Sequence, residues 1–369
     1  MSRVAAEIAN LDAIAGSLPD DERGIFGRIF EVGVAEGQIK PPQGMEPWIA
    51  EQFGSVERAL KQRVVRITNL VTQEEALFNP LRASRPIKER RVTEIVASGQ
   101  ESLLDDPFHD PRTMTPEDTF GRIEGKYCIT GSNIAKYEGF HSIIVFKEPD
   151  PLRFDREQVI DYIDTGLRWA EKAHAVEPEA RYFFFMWNCG GRAGASLLHG
   201  HAQVMLGQRR HYAKVEQLRR AASSYRQRYG SSYFDDLYRV HRALGCGFER
   251  DGVRVLAYLT PVKENEVVLI ADTLDVALKE KIYEVLACFR DTLGIGSFNL
   301  AIYMPPIAEV AEDWEAFPVV VRVVDRGDPG KRTSDIGAME LYASSVISSD
   351  PFEVARVVGE DLERSVNSN

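Results

Sequence analysis

Between Asn188 and Gln203 the chain reads Asn-Cys-Gly-Gly-Arg-Ala-Gly-Ala-Ser-Leu-Leu-His-Gly-His-Ala-Gln. His199, His201 and Gln203 fall at alternate positions, and on a strand alternate side chains share one face at steps of roughly 6.6 Å, so two imidazoles and an amide would line one surface. The glycines ahead of them let backbone N–H groups approach an anion, and Ser196 adds a hydroxyl donor. An imidazole that attacks phosphorus needs neighbours that hold the phosphoryl oxygens and fix its tautomer. This spacing supplies both, and the run reads as a phosphate site with a nucleophile. The plainer alternatives are a solvated strand face or a divalent metal site. Seven histidines in the chain make a chance pair possible, but not a pair joined to Gln203, Ser196, three glycines and Asn188 in one run.

The elements around this run must place it. Before it, Tyr182-Phe183-Phe184-Phe185-Met186 reads as a strand leading into the loop, and Val64–Ile67, Tyr127–Thr130 and His141–Phe146 read as earlier strands. Asp155 with Gln158 forms a capping-box signature, followed by Val159, Ile163, Leu167 and Ala170 at helical spacing. The second half repeats the order: a strand at Glu266–Ile270, a helix from about Val276 to Thr292, and strands at Phe298–Tyr303 and Val319–Val323. This is an internal duplication of one α+β unit, with Val-Val-Val-Arg-Val where the first copy has its histidines. Two such units share one economical architecture, an extended antiparallel sheet with helices packed on it. Residues 1–60 carry Ile8, Leu11, Ile14, Leu18, Ile25, Ile29 and Val32 at three- and four-residue steps, which predicts a helical N-terminal extension. The expected division is 1–60 for that extension, 61–228 for the repeat that carries the chemistry and 229–369 for a degenerate second repeat.

Composition narrows the function classes. The 369 residues are 44% hydrophobic and 27% charged, as in globular proteins, and no apolar run approaches the length of a membrane span. A net charge of −11 argues against a nucleic-acid partner, because binding phosphate backbones needs a basic surface. Four cysteines without paired spacing suit reduced thiols. The first residues have no apolar signal core, so a cytoplasmic location is expected.

These motifs together resemble the histidine triad superfamily, in the branch of galactose-1-phosphate uridylyltransferase and the related nucleotide-sugar and dinucleoside-polyphosphate phosphorylases. The resemblance spans about Arg82 to Val358. It rests most on Asn188, Gly190, Gly194, Ser196, His199, His201 and Gln203. Arg82-Ala83-Ser84-Arg85-Pro86 is similar to the family's Arg-Ala-x-Arg-Pro segment, whose arginines reach the nucleotide, and Asn133 aligns with a nucleotide-contacting asparagine. The resemblance implies two tandem histidine-triad repeats and a ping-pong nucleotidyltransferase or phosphorylase. In it, His201 attacks the α-phosphorus and carries the nucleotidyl group. His199 and its carbonyl would orient His201. Gln203 would donate to a phosphoryl oxygen, and, having no acidic proton to give, would favour transfer over hydrolysis. Ser196 and N–H groups near Gly194 would stabilise the departing phosphate. Implied ligands are a nucleotide sugar or dinucleoside polyphosphate, with a sugar phosphate or inorganic phosphate as acceptor. A homodimer is implied too.

The departures are as specific as the matches. A Cys-Pro-x-Cys metal pair of the family is here Asp106-Pro107-Phe108-His109. No cofactor is required by the chemistry, but Asp106, His109 and His199 are competent ligands for Zn or Fe, with Asp150 as a further carboxylate. Otherwise Asp106-Pro107 is a turn. A second family metal site has no counterpart around Pro318–Arg322, and Tyr303 stands where a histidine is common. These losses motivate an alternative in another class, a nucleotide-binding or regulatory protein of the same fold with reduced catalysis. A nucleotide hydrolase is a third reading, disfavoured by Gln203.

Overall fold

A computed structural model describes residues 5–83, 106–330 and 334–367. Helices α1 (Leu11–Gly16) and α2 (Asp20–Ile29) open the chain, and strand β1 (Phe30–Gln38) follows. Helices α3 (Glu46–Phe53) and α4 (Val56–Leu60) lead to β2 (Lys61–Asn69), β3 (Glu75–Phe78) and the short α5 (Pro80–Ala83). The N-terminal part is thus helical, as its periodicity indicates, but Val32 lies in a nine-residue strand. From Val32 to Ala35 that strand pairs antiparallel with Val64–Ile67 of β2. Ile25 and Ile29 keep the helical period inside α2, where both are buried, while Val32 continues that spacing only in number and its segment is a strand because it pairs with β2.

The first repeat comprises α6 (Pro111–Met114), β4 (Cys128–Ser132), β5 (Phe140–Phe146), α7 (Arg156–Val176), β6 (Ala180–Cys189), β7 (His201–Gln208) and α8 (Ala213–Tyr229). After α9 (Tyr233–Leu244), the second repeat comprises β8 (Gly247–Arg250), β9 (Val253–Ala257), β10 (Val267–Ala271), α10 (Val276–Ala287), β11 (Phe298–Tyr303) and β12 (Val319–Asp325). The chain finishes with α11 (Ala338–Tyr342), β13 (Ser345–Ile347) and α12 (Pro351–Asn367). The nine-stranded sheet runs β4-β5-β7-β6-β11-β12-β10-β9-β8, with antiparallel pairing throughout. Each repeat is a hairpin, a helix and a second hairpin: β4-β5, α7, β6-β7 in one, and β9-β10, α10, β11-β12 in the other. They join where β6 meets β11, and one extended sheet results, as the duplicated sequence implies.

The sheet separates two cores. Phe183, Phe185 and Trp187 of β6 and Ala202, Val204 and Leu206 of β7 face a core shared with α7, α10 and α12. Helix α7 begins at the capping box read from sequence: Asp155 Oδ1 accepts from Gln158 N–H at 2.9 Å and Gln158 Oε1 accepts from Asp155 N–H at 2.7 Å. It then buries Val159, Ile163, Trp169, Ala170 and Ala173 along one face. A Cβ at Gly166 would stand 3.0 Å from Val204, so this glycine lets α7 lie close behind β7. The opposite face is covered over the second repeat by α9 and by the small sheet β1-β2-β3-β13. Over β5, β7 and β6 that face carries the histidine run.

Cross-strand pairing sets the geometry of that face. Ile143, Gln203, Met186, Ala301, Arg322 and Val268 are successive register partners and make one row across six strands. Gln203 and Arg322 therefore share a row, three strand spacings apart, or about 14 Å. All four cysteines are buried and unpaired, as their scattered spacing suggests. Among the described residues, no helix is long and apolar enough to cross a membrane.

Candidate active site

His201 opens β7 and is 5% exposed, and its Nδ1 lies 2.8 Å from the carbonyl oxygen of His199. A carbonyl only accepts, so Nδ1 carries the hydrogen and the neutral ring keeps its lone pair on Nε2. Nε2 has no hydrogen-bond partner among the described residues. Burial lowers the pKa of His201 below the ordinary 6.5, outweighing the bond to the His199 carbonyl. The ring is therefore neutral at pH 7. Phe108 packs edge-on against it with centroids 5.1 Å apart, and against His199 at 5.8 Å.

His199 differs from its expected place. It precedes the strand rather than lying on it, and its ring turns toward the end of β5, with Nε2 2.9 Å from the Phe146 carbonyl and Nδ1 2.6 Å from Asp106 Oδ2. Gly200 causes this. Its N–H donates to Pro149 O and its carbonyl accepts from Phe146 N–H, while a Cβ on it would fall 2.7 Å from the Phe146 ring. Both imidazole nitrogens of His199 face acceptors, a carboxylate on one side and a backbone carbonyl on the other. That arrangement does not fit a metal. His199 has no free nitrogen, Asp106 spends its other oxygen on Phe108 N–H at 2.9 Å, and His109 is exposed. Among the described residues, no group of three or more His, Cys, Asp or Glu side chains is placed to hold one. Asp106 and His199 do meet, side chain to side chain at 2.6 Å.

The glycine loop is wound tightly. Gly190 and Gly194 take φ values of +83° and +93°, open to glycine at little cost, on either side of the 3-10 turn Gly191–Ala193. The N–H groups of Ala193, Gly194 and Ala195 are bonded back to Gly190 and Gly191 carbonyls. Gly194 thus shapes the loop but offers no N–H to an anion, a correction to the expected donor set. Ser196 is exposed at the loop's far end, with no hydrogen-bond partner among the described residues. Asn188 accepts at Oδ1 from Asn299 Nδ2 at 2.7 Å, across the β6–β11 junction, which leaves its own NH2 outward. Asn299 is held in turn by Arg326, whose guanidinium pairs with Asp335 at 2.7 Å.

On the other side, Gln203 lies beside His141, and Asn133 meets the same ring at 3.3 Å. Arg82 is exposed on α5 and makes no hydrogen bond or ion pair with the histidine run among the described residues; Arg85 lies outside them. The structure therefore gathers His199, His201, Gln203, Asn133, Asn188 and Asp106, and leaves Arg82 and His109 apart. Sequence reasoning missed Asn299 and Arg326, since their roles depend on β6–β11 register. It missed His141 too, although that histidine sits two residues after Gly139 in a segment read as a strand.

No family model matches the sequence, and no curated protein matches it. Solved structures do. An ADP-glucose phosphorylase from Arabidopsis thaliana with bound ADP-glucose superposes with a TM-score of 0.60 at 15% identity, covering 80% of this chain and 99% of that one. A GalT-like protein from the same plant gives 0.56 at 14% identity, covering 69% and 91%. A uridylyltransferase gives 0.55 at 16%, covering 68% and 89%. The chain has the fold of these structures, the two-repeat sheet of the uridylyltransferase and nucleotide-sugar phosphorylase type.

Proposed function

We propose that this protein is a nucleotidyltransferase or phosphorylase that works by double displacement through His201. The observation that carries the reading is the His201 ring: buried, neutral, tethered at Nδ1 by a carbonyl and open at Nε2. Nε2 attacks the α-phosphorus of a nucleoside-diphosphate sugar. An N–P bond forms, the bridging P–O bond breaks, and its electron pair leaves with the sugar phosphate, which needs no proton at neutral pH. The Nδ1–H···O=C bond steadies the positive charge that nitrogen alkylation-like bonding to phosphorus places on the ring. A second phosphate, inorganic or on a sugar, then takes the nucleotidyl group by the reverse chemistry. Gln203 and Asn133 offer amide N–H groups to the phosphoryl oxygens on one side, and Asn188 offers its NH2 on the other.

A cavity of about 300 Å³ extends from Asn188 over the second repeat, lined by Met186, Lys214, Lys263, Asn299 and Arg326 among others. Amides and cations at this scale suit a sugar phosphate, and the size is at the small end of ligand pockets, roughly 300–1,000 Å³. The fold-sharing structures include one with bound ADP-glucose, which supports a nucleotide sugar as donor. The test is replacement of His201 by Ala with UDP-glucose, ADP-glucose, GDP-mannose and diadenosine tetraphosphate as donors. Exchange is expected to vanish while the fold persists; retained turnover rejects the assignment. Binding without turnover in the wild type would instead favour a nucleotide-binding protein with reduced catalysis.

A further inference from the structure

The amide of Gln203 can stand either way round, and only one way offers N–H to a phosphate. Its side-chain oxygen lies 2.9 Å from Nε2 of His141, on the neighbouring strand β5. His141 is fully buried. Its other nitrogen, Nδ1, accepts the backbone N–H of Tyr137 at 3.1 Å. A backbone N–H can only donate, so Nδ1 holds a lone pair and the hydrogen of the neutral ring is on Nε2. Burial keeps that ring neutral, lowering its pKa below 6.5 despite the bond to Gln203. An Nε2–H must meet an acceptor. Gln203 therefore presents Oε1 to His141 and turns its NH2 away from the ring. The reverse orientation would set N–H against N–H at 2.9 Å and leave the buried Nε2–H without an acceptor.

Asn133 stands on the other side of the same nitrogen. Its Oδ1 accepts from Ala135 N–H at 3.0 Å, so its NH2 is the group 3.3 Å from His141 Nε2; with Nε2–H directed to Gln203 at 2.9 Å, that longer contact is no hydrogen bond, and the part-exposed NH2 turns its hydrogens to the open side. The carbonyl of His141 accepts from Asn133 N–H at 3.0 Å and from Lys136 Nζ at 2.9 Å. The Tyr137 ring stacks on the imidazole with centroids 4.7 Å apart, although Tyr137 itself is 73% exposed. One imidazole thus organises the loop 133–139 and sets the amide beside the nucleophile.

We infer that His141 is a positioning residue for the proposed nucleotidyl transfer: its Nε2–H fixes Gln203 with the amide N–H groups toward the phosphoryl oxygens and ties that orientation to the loop 133–139. This rests on the transfer reading given above, and two measurements separate the claims. The first needs no catalysis. Long-range ¹H–¹⁵N spectra of the labelled full chain, with His141 assigned by its loss in His141→Phe, should show the Nε2–H tautomer at neutral pH; the Nδ1–H tautomer would overturn the inference. The second is single-turnover nucleotidylation from UDP-glucose and ADP-glucose by wild type, His141→Phe, His141→Gln, Gln203→Ala and the His141→Phe/Gln203→Ala double variant. Loss of one oriented donor corresponds to about a 100-fold slower step. We expect His141→Phe to approach the Gln203→Ala rate with little change in KM, the double variant to be no slower than Gln203→Ala, and His141→Gln, which keeps an N–H donor, to recover part of the rate. Losses that multiply in the double variant would show that His141 acts by another route. A wild type that forms no adduct with any donor would reject the transfer reading, and the tautomer would then decide the orientation of Gln203 alone.

Discussion

At the scale of single residues, the site depends on which nitrogen carries a hydrogen. His201 is a donor at Nδ1 and His141 at Nε2, and in each case a fixed backbone partner settles it, while both nitrogens of His199 are taken up by acceptors. A pH dependence follows for His201. Attack needs the neutral ring, and burial holds its pKa below 6.5, so lowering the pH to 6.5 leaves most of the protein reactive. The acid limb of nucleotidylation should be centred below 6.5, measured by quenched single turnovers. An acid limb centred above 6.5 would contradict this account of the ring's surroundings. The types and order of these residues are legible in the sequence run 188–203. Their partners are not, because Phe146, Asp106 and His141 lie 53, 93 and 62 residues away from the groups they bond and reach them only through strand pairing and a loop.

At the scale of elements, the join between β5 and β7 aims the nucleophile. Gly200 is the contact point, pressed against Phe146 and tied to it and to Pro149 by backbone hydrogen bonds. Gly200→Ala places a methyl group 2.7 Å from the Phe146 ring and 3.1 Å from Glu148 O. It should cost about 1–3 kcal/mol in overpacking and displace His201, and a displacement near 1 Å lowers the rate roughly 100-fold. Equilibrium unfolding and single-turnover kinetics together check this; a variant with the wild-type rate would show that Gly200 is dispensable to the aim of His201. Here the sequence was informative in part. Runs of aromatic and β-branched residues gave β5, β6, β10, β11 and β12 to within a few residues, and the capping box gave the start of α7. Strand β1 was read as helix because Ile25, Ile29 and Val32 fit a helical period, and the pairing with β2 that overrides it is not a local property.

At the scale of the whole molecule, the second repeat supports the first. Its side of the shared sheet face holds, in the row of Gln203, the guanidinium of Arg322. Arg322 pairs with Glu266 at 2.6 Å and with Glu74 at 2.5 Å, and Glu74 also accepts from Tyr258 at 2.7 Å. This cluster fastens the β2–β3 turn to β12, so the N-terminal sheet is bound to the second repeat by buried charge as well as by its apolar face. Removing one partner leaves the others uncompensated, and Arg322→Met should destabilise the chain by about 3–5 kcal/mol, read from the denaturant midpoint. A loss under 1 kcal/mol would show that the two carboxylates find other partners. The Arg in Val-Val-Val-Arg-Val marked the absence of chemistry in the second copy, but nothing local to it pointed to Glu74, 248 residues away.

The most direct test of the central claim is the site and identity of a covalent adduct. Wild type and His201→Ala would each be incubated with a nucleotide sugar, quenched in base to preserve a phosphoramidate, weighed intact and mapped by fragmentation. The account predicts a mass increase of one nucleoside monophosphate on wild type, located on His201 and absent from the variant. An adduct on another residue, or none on a wild type that still turns the donor over, would contradict it.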